Sequence, residues 1–161
     1  MSTVPIDPVR KSIRVRAPLA LSFDVFTTGL TRWWPQDHGI ARKPVDKMVL
    51  EPRLGGRWLE ISKDGTRTPV ATIVHWDPPH RFTLIWQVSS QWLPDETMRS
   101  EVDIRFTADG PDTTVVEVLH HKFETMGPEA GAKMRNDVNG GWPGLLERFA
   151  REAERSSQTK A

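Results

Sequence analysis

Three side chains in this sequence could carry chemistry: the carboxyl group of Glu60 and the imidazoles of His38 and His120. They sit in a chain that has seven tryptophans but neither tyrosine nor cysteine. A carboxylate and an imidazole can exchange protons near neutral pH, or hold the polar end of a ligand through charge-assisted hydrogen bonds. Glu60 lies in the run Arg57-Trp58-Leu59-Glu60-Ile61-Ser62, where alternation puts it on one face with Trp58 and Ser62, opposite Leu59 and Ile61. Both faces carry apolar residues, so the period alone leaves open which one points inward. His120 shares a face with Val116 and Val118, which predicts an inward imidazole, while His121 faces away. Adjacent strand residues point to opposite faces, so these two histidines cannot grip one ion. His38, Glu60 and His120 come from distant segments without metal-ligand spacing, and no metal site is expected. Gly55-Gly56 lacks the lysine-serine ending of a phosphate loop and precedes a strand, so no cofactor is implied either.

Bulk properties narrow the field of functions. A chain of 161 residues suits one well-formed core and is short for two. A net charge of +1 makes no case for nucleic acid as a partner. No apolar run approaches the ~20 residues of a membrane-spanning helix, so membrane insertion is not expected. The first ten residues lack the apolar segment of a secretory signal, and a cytoplasmic location follows by default. Tryptophan supplies large apolar area with one donor, so this chain has the material for an aromatic pocket.

The elements that must position these residues follow from periodicity. Val9 to Arg16 alternates as a half-buried strand, with Arg10, Ser12, Arg14 and Arg16 on a solvated basic face. Pro18 suits the first turn of a helix whose inward stripe is Leu19, Phe23, Phe26 and Leu30, ended by Trp33-Trp34-Pro35. From Lys47 the chain is a succession of short strands: Met48 to Glu51, Arg57 to Ser62, Val70 to Trp76, Phe82 to Val88, Val102 to Phe106 and Thr114 to His121. Turn signals separate them, among them Gly55-Gly56 and Asp64-Gly65. Met134, Val138, Trp142, Leu145, Phe149 and Ala153 then recur at helical spacing, with a bend or break expected at Pro143. The single domain is expected to span residues 1–155, and Ser156 to Ala161 reads as a flexible polar tail. Strand, helix, six strands and a long helix imply an α+β domain. A curved antiparallel sheet must wrap its concave face around the C-terminal helix, and such a wrap tends to leave a cavity.

Four segments carry a family resemblance: Trp33-Trp34-Pro35; Glu51-Pro52-Arg53-Leu54-Gly55-Gly56-Arg57-Trp58; Trp76-Asp77-Pro78-Pro79-His80-Arg81 with Leu84-Ile85-Trp86; and Gly141-Trp142-Pro143 before Leu145-Leu146. In this order they resemble the SRPBCC superfamily, in the branch related to the activator of the heat-shock-protein-ninety ATPase. The resemblance implies the helix-grip, or START-like, fold with a hydrophobic ligand cavity. It places the tryptophan side of the Glu60 strand, and so Glu60, toward that cavity, and His38 near its mouth. The expected ligand-binding residues are Trp34, His38, Trp58, Glu60, Trp86, His120 and Trp142. Trp92 is a further lining candidate, although at least two of the tryptophans should be plain core. The expected function is binding of an apolar or aromatic small molecule. The alternatives are a co-chaperone-like module whose partner is a chaperone, and a cyclase or hydratase using Glu60 with a histidine.

Overall fold

The computed structural model describes residues 4–159, and of Thr159 only the backbone. Seven antiparallel strands form one sheet in the order β1-β7-β6-β5-β4-β3-β2. The strands are β1 (Val9–Val15), β2 (Val45–Leu50), β3 (Arg57–Ser62), β4 (Arg67–Asp77), β5 (Arg81–Trp86), β6 (Ser100–Ala108) and β7 (Thr114–His121). Between β1 and β2 lie the helix α1 (Leu19–Phe26) and two short 3-10 turns, Leu30–Arg32 and Gln36–His38. The helix α2 (Pro128–Thr159) closes the chain. The α+β helix-grip architecture is therefore the one the residue pattern predicts, with β1 reaching the sheet edge by pairing with β7.

Alternation selects the concave face. Val102, Ile104 and Phe106 of β6, Val116 and Val118 of β7, and Phe82, Leu84 and Trp86 of β5 are all buried beneath α2. Register puts like with like: Ile104 stands opposite Phe82 on one side and Val118 on the other. On the outer face Arg10, Ser12, Arg14 and Arg16 are exposed, as their alternation predicts. That face holds one buried carboxylate, Asp103, which accepts hydrogen bonds from Arg81 and Thr83 on one oxygen and from Arg105 on the other. Burial pushes this carboxyl up, but the bonds from Arg81, Arg105 and Thr83 outweigh it and hold it below its ordinary range.

The β2–β3 turn needs its two glycines for different reasons. Gly55 has φ +80°, and a Cβ on Gly56 would come within 2.3 Å of the Glu51 carbonyl oxygen.

α2 carries the predicted stripe: Met134, Val138, Trp142, Leu145, Phe149 and Ala153 are all buried. The expected break at Pro143 does not occur, and the helix runs through it without interruption. Pro143 and Gly144 lie on the exposed side, while the buried stripe on either side ties both halves of α2 to the sheet. Tertiary packing here overrides the local cost of a proline. The helix also continues past the point where a flexible tail is expected, for Ser156 is buried and helical. The last part of that tail, residues 160–161, lies outside the described residues, as do the first three of the chain.

Candidate functional site

Between the sheet and α2 lies a cavity of about 430 Å³, within the range of small-molecule sites. Trp58 and Glu60 reach it from β3, Met48 from β2, Val70 from β4 and Trp86 from β5. α2 contributes Asp137, Val138, Gly141, Trp142 and Leu145. Two loops complete the wall, one with Trp34, Asp37, His38, Gly39 and Ile40, the other with Trp92. All five candidate tryptophans line the cavity, more than the three at most that the sequence led one to expect. They stand nearly at right angles to their neighbours. Trp34 and Trp58 are 4.5 Å apart at 90°, Trp58 and Trp86 5.5 Å at 71°, and Trp86 and Trp92 6.4 Å at 81°. Edge-to-face contact satisfies the ring quadrupoles. It also prevents the rings from stacking into a slab that would fill the space.

Glu60 is on the tryptophan side of β3, because Trp58 and Glu60 lie opposite Leu50 and Met48 on the inward face of β2. Its side chain is 0% exposed. One carboxylate oxygen accepts the Ile40 N–H at 2.7 Å and the other accepts the Ala41 N–H at 3.0 Å. Glu60 thus staples the loop that roofs the cavity. A backbone donor already engages each oxygen, so this geometry makes Glu60 a positioning residue for that loop. His38 lies on the roof itself, half exposed, 3.9 Å from the exposed carboxylate of Asp37.

His120 is inward and fully buried, as predicted, but it is not part of the cavity wall. It stands behind Trp86 and Trp142: its Nδ1 accepts the Trp142 indole N–H at 3.3 Å, and its Nε2 lies 3.3 Å from Ser100 Oγ. An Nδ1 that accepts leaves the proton on Nε2, which donates to the serine. Burial, helped by the neighbouring His121, pushes the imidazole pKa down to about 3. His120 is therefore a neutral brace that sets the orientation of Trp142. Sequence reasoning put it on the right face but one layer too far forward, since strand alternation says nothing of which larger side chains stand in front.

Of the wall residues that the sequence reading did not single out, Asp137 is the one whose side chain has hydrogen-bonded partners on two elements. Asp137 belongs to the polar side of α2, yet it accepts hydrogen bonds from the Trp92 indole N–H at 2.9 Å and from Lys133 at 2.8 Å. Burial raises this carboxyl, and the bonds from Lys133 and Trp92 more than offset that, leaving it below its ordinary range. Lys133 also donates to the Ser90 carbonyl, so the loop carrying Trp92 is tied to α2. The available signal was the spacing of Lys133 and Asp137, four apart on one helix face. Trp76 belongs elsewhere, packing against Phe23 and Phe82.

Residues 16–154 match the family model described as Activator of Hsp90 ATPase homolog 1-like protein, AHSA1. The chain belongs to the AHSA1 family. Among solved structures, this AHSA1 chain resembles an anthrahydroquino-γ-pyrone synthase, Txn09, with 36% identity, 91% of this chain and 97% of that one covered, and a TM-score of 0.64. A self-sacrificing resistance protein, CalC from Micromonospora echinospora, shares 28% identity over 93% of this chain and 96% of its own, at a TM-score of 0.69. The Aha1 dimer from Colwellia psychrerythraea is 14% identical over 92% of this chain and 97% of that one, at a TM-score of 0.62, which establishes likeness of fold alone. No curated protein matches the chain.

Proposed function

We propose that this AHSA1-family protein binds a planar, largely apolar aromatic small molecule in the cavity between its sheet and α2. The observation that carries the reading is the wall of five tryptophans set edge to face around an unfilled space. Large aromatic walls bury a flat ligand at small conformational cost, because indole rings are already held by packing. In this proposal Trp34, Trp58, Trp86, Trp92 and Trp142 contact the ligand and His38 guards the mouth. Glu60 and His120 hold the roof and the Trp142 ring. The Txn09 likeness supports a second reading, a ring-forming enzyme acting on an aromatic substrate, with His38 as the proton-transfer group at the mouth. A co-chaperone role has less support: the exposed large apolar residues, Val4, Leu54, Val74 and Leu93, are single positions on separate elements.

Native mass spectrometry of the purified protein after incubation with a polycyclic aromatic metabolite extract tests the binding reading. The expected result is a discrete adduct with one ligand per chain and quenched tryptophan fluorescence. A spectrum without an adduct, with fluorescence unchanged across the extract, would refute it. Turnover of the adduct to a new mass would favour the enzyme reading.

A further inference from the structure

The cavity wall divides into polar groups that have partners and polar groups that do not. Three of the five indole N–H groups are engaged: Trp58 donates to Met48 Sδ at 3.5 Å, Trp92 to Asp137 at 2.9 Å and Trp142 to His120 at 3.3 Å. Two of the wall's three carboxylates are engaged as well, Glu60 by the Ile40 and Ala41 amides and Asp137 by Trp92 and Lys133; the third, Asp37, lies exposed at the mouth. Two donors remain. Trp86 Nε1 is buried without a hydrogen-bond partner, and the indole nitrogen of Trp34 has no partner among the described residues. The two rings flank Trp58, each edge to face with it, so they border one stretch of aromatic wall. Buried polar groups in folded proteins nearly always have partners; among the described residues the side-chain exceptions are Trp86 Nε1 and Ser62 Oγ, and of these only Trp86 belongs to the cavity wall. Indole N–H can only donate, so the group that completes it has to be an acceptor.

We propose that Trp34 and Trp86 are the hydrogen-bond donors of this site, and that its ligand is a planar aromatic bearing acceptor oxygens at its edge, of the quinone or aryl-ketone class. The proposal rests on the cavity reading above and adds the polar half of the recognition. An aromatic hydrocarbon of the same outline fills the space but leaves both donors unmatched. An amine brings further donors to a stretch of wall whose free groups are donors themselves, and meets an open carboxylate only at the exposed Asp37 of the mouth. Sites that hydrogen-bond a substrate group discriminate sharply against the analogue lacking it. Because Trp86 Nε1 is closed off from solvent, a ligand oxygen reaches it only as the surrounding rings shift.

The test is a pair of probes of matched outline, 9,10-anthraquinone and anthracene, measured by equilibrium dialysis against wild-type protein and the variants Trp34→Phe and Trp86→Phe. Phenylalanine keeps an aromatic ring and removes the N–H together with part of the indole, a loss of contact that both probes feel and that anthracene measures. The wild type is expected to hold anthraquinone about twenty-five-fold more tightly than anthracene, two hydrogen bonds at about fivefold each. Each variant should lose about fivefold more for anthraquinone than for anthracene, in line with one hydrogen bond. Equal binding of the two probes, or variants that weaken both alike, would overturn this inference and leave the cavity reading standing; the Trp86 N–H would then be satisfied by a neighbouring ring face. Binding of neither probe would overturn both. Near-ultraviolet circular dichroism of each variant establishes that a loss does not come from misfolding, and where one single variant fails to fold the other carries the comparison of the two probes.

Discussion

Two aromatic clusters sit under the same helix, and only one of them is solid. At one end Phe23, Phe26, Phe82, Phe106 and Phe149 pack with Trp33 and Trp76, and almost every ring meets its neighbours edge to face within 6 Å. At the other end five tryptophans leave about 430 Å³ open. β5 runs from one end to the other, with Phe82 in the solid cluster and Trp86 in the cavity wall. Four residues of strand cover about 13 Å, so the change is abrupt. The difference is α1. It wedges Phe23 and Phe26 between the sheet and α2, then ends; beyond it the chain leaves through the Trp33-Trp34 turn, and no second helix fills the remaining length. A space under a long helix is thus set less by the size of the side chains around it than by whether another element enters.

The comparison predicts unequal costs for truncation. Phe26→Ala removes a ring that touches Trp33, Phe82, Phe106 and Phe149. It should cost about 3–5 kcal/mol in urea unfolding. Leu145→Ala, at the cavity wall, should cost about 2 kcal/mol, because part of that side chain already lacks neighbours to lose. Equal costs would mean that the open end is as tightly packed as the solid one.

A second experiment sharpens the role of His120, the brace behind the open end. Its folded pKa is about 3, against an ordinary 6.5. The neutral ring is favoured on folding, so its contribution is complete above about pH 6.5. It falls as acid protonates the unfolded chain, with a slope of up to about 1.4 kcal/mol per pH unit down toward pH 3. Unfolding midpoints from pH 7.5 to 4.5 should show this slope in the wild type and a shallower one in His120→Gln. Parallel profiles would remove His120 from the set of groups that couple folding to protons.

The smallest effect concerns the roof. A Glu60 that held a ligand would make Glu60→Gln costly for binding; the two loop amides that it accepts make the change costly for the roof instead. Glutamine keeps one acceptor for the loop and sets an amide N–H₂ against the other backbone N–H, so about 1 kcal/mol of stability should be lost. Faster hydrogen exchange at Ile40 and Ala41, with little change elsewhere, is the expected signature. Unchanged protection at both amides would show that the loop holds without the carboxylate.

How far the site was legible follows from how each residue's face is set. The stripe of α2 and the alternation of β6 and β7 were readable because one side of each is apolar and the other polar, and burial follows directly. β3 was not readable by period: Leu59 is buried as well as Trp58 and Glu60, so neither face announces itself. Only pairing with β2, which sets Met48 and Leu50 beside Glu60 and Trp58, decides the matter. At Pro143 the break is absent because the buried stripe on both sides holds the helix together.

What the chain determined by itself is the order of elements and the wrap of the sheet around α2, since these follow from periodicity and turn residues. What only the tertiary structure decided is the assignment of polar groups within the cavity. Glu60 binds the roof, His120 braces Trp142 from behind, Asp137 ties down Trp92, and Trp34 and Trp86 keep unengaged N–H groups. The reason is physical. Burial is a property of a residue and its near neighbours in sequence, whereas a hydrogen bond depends on which distant backbone or ring arrives within 3 Å or so.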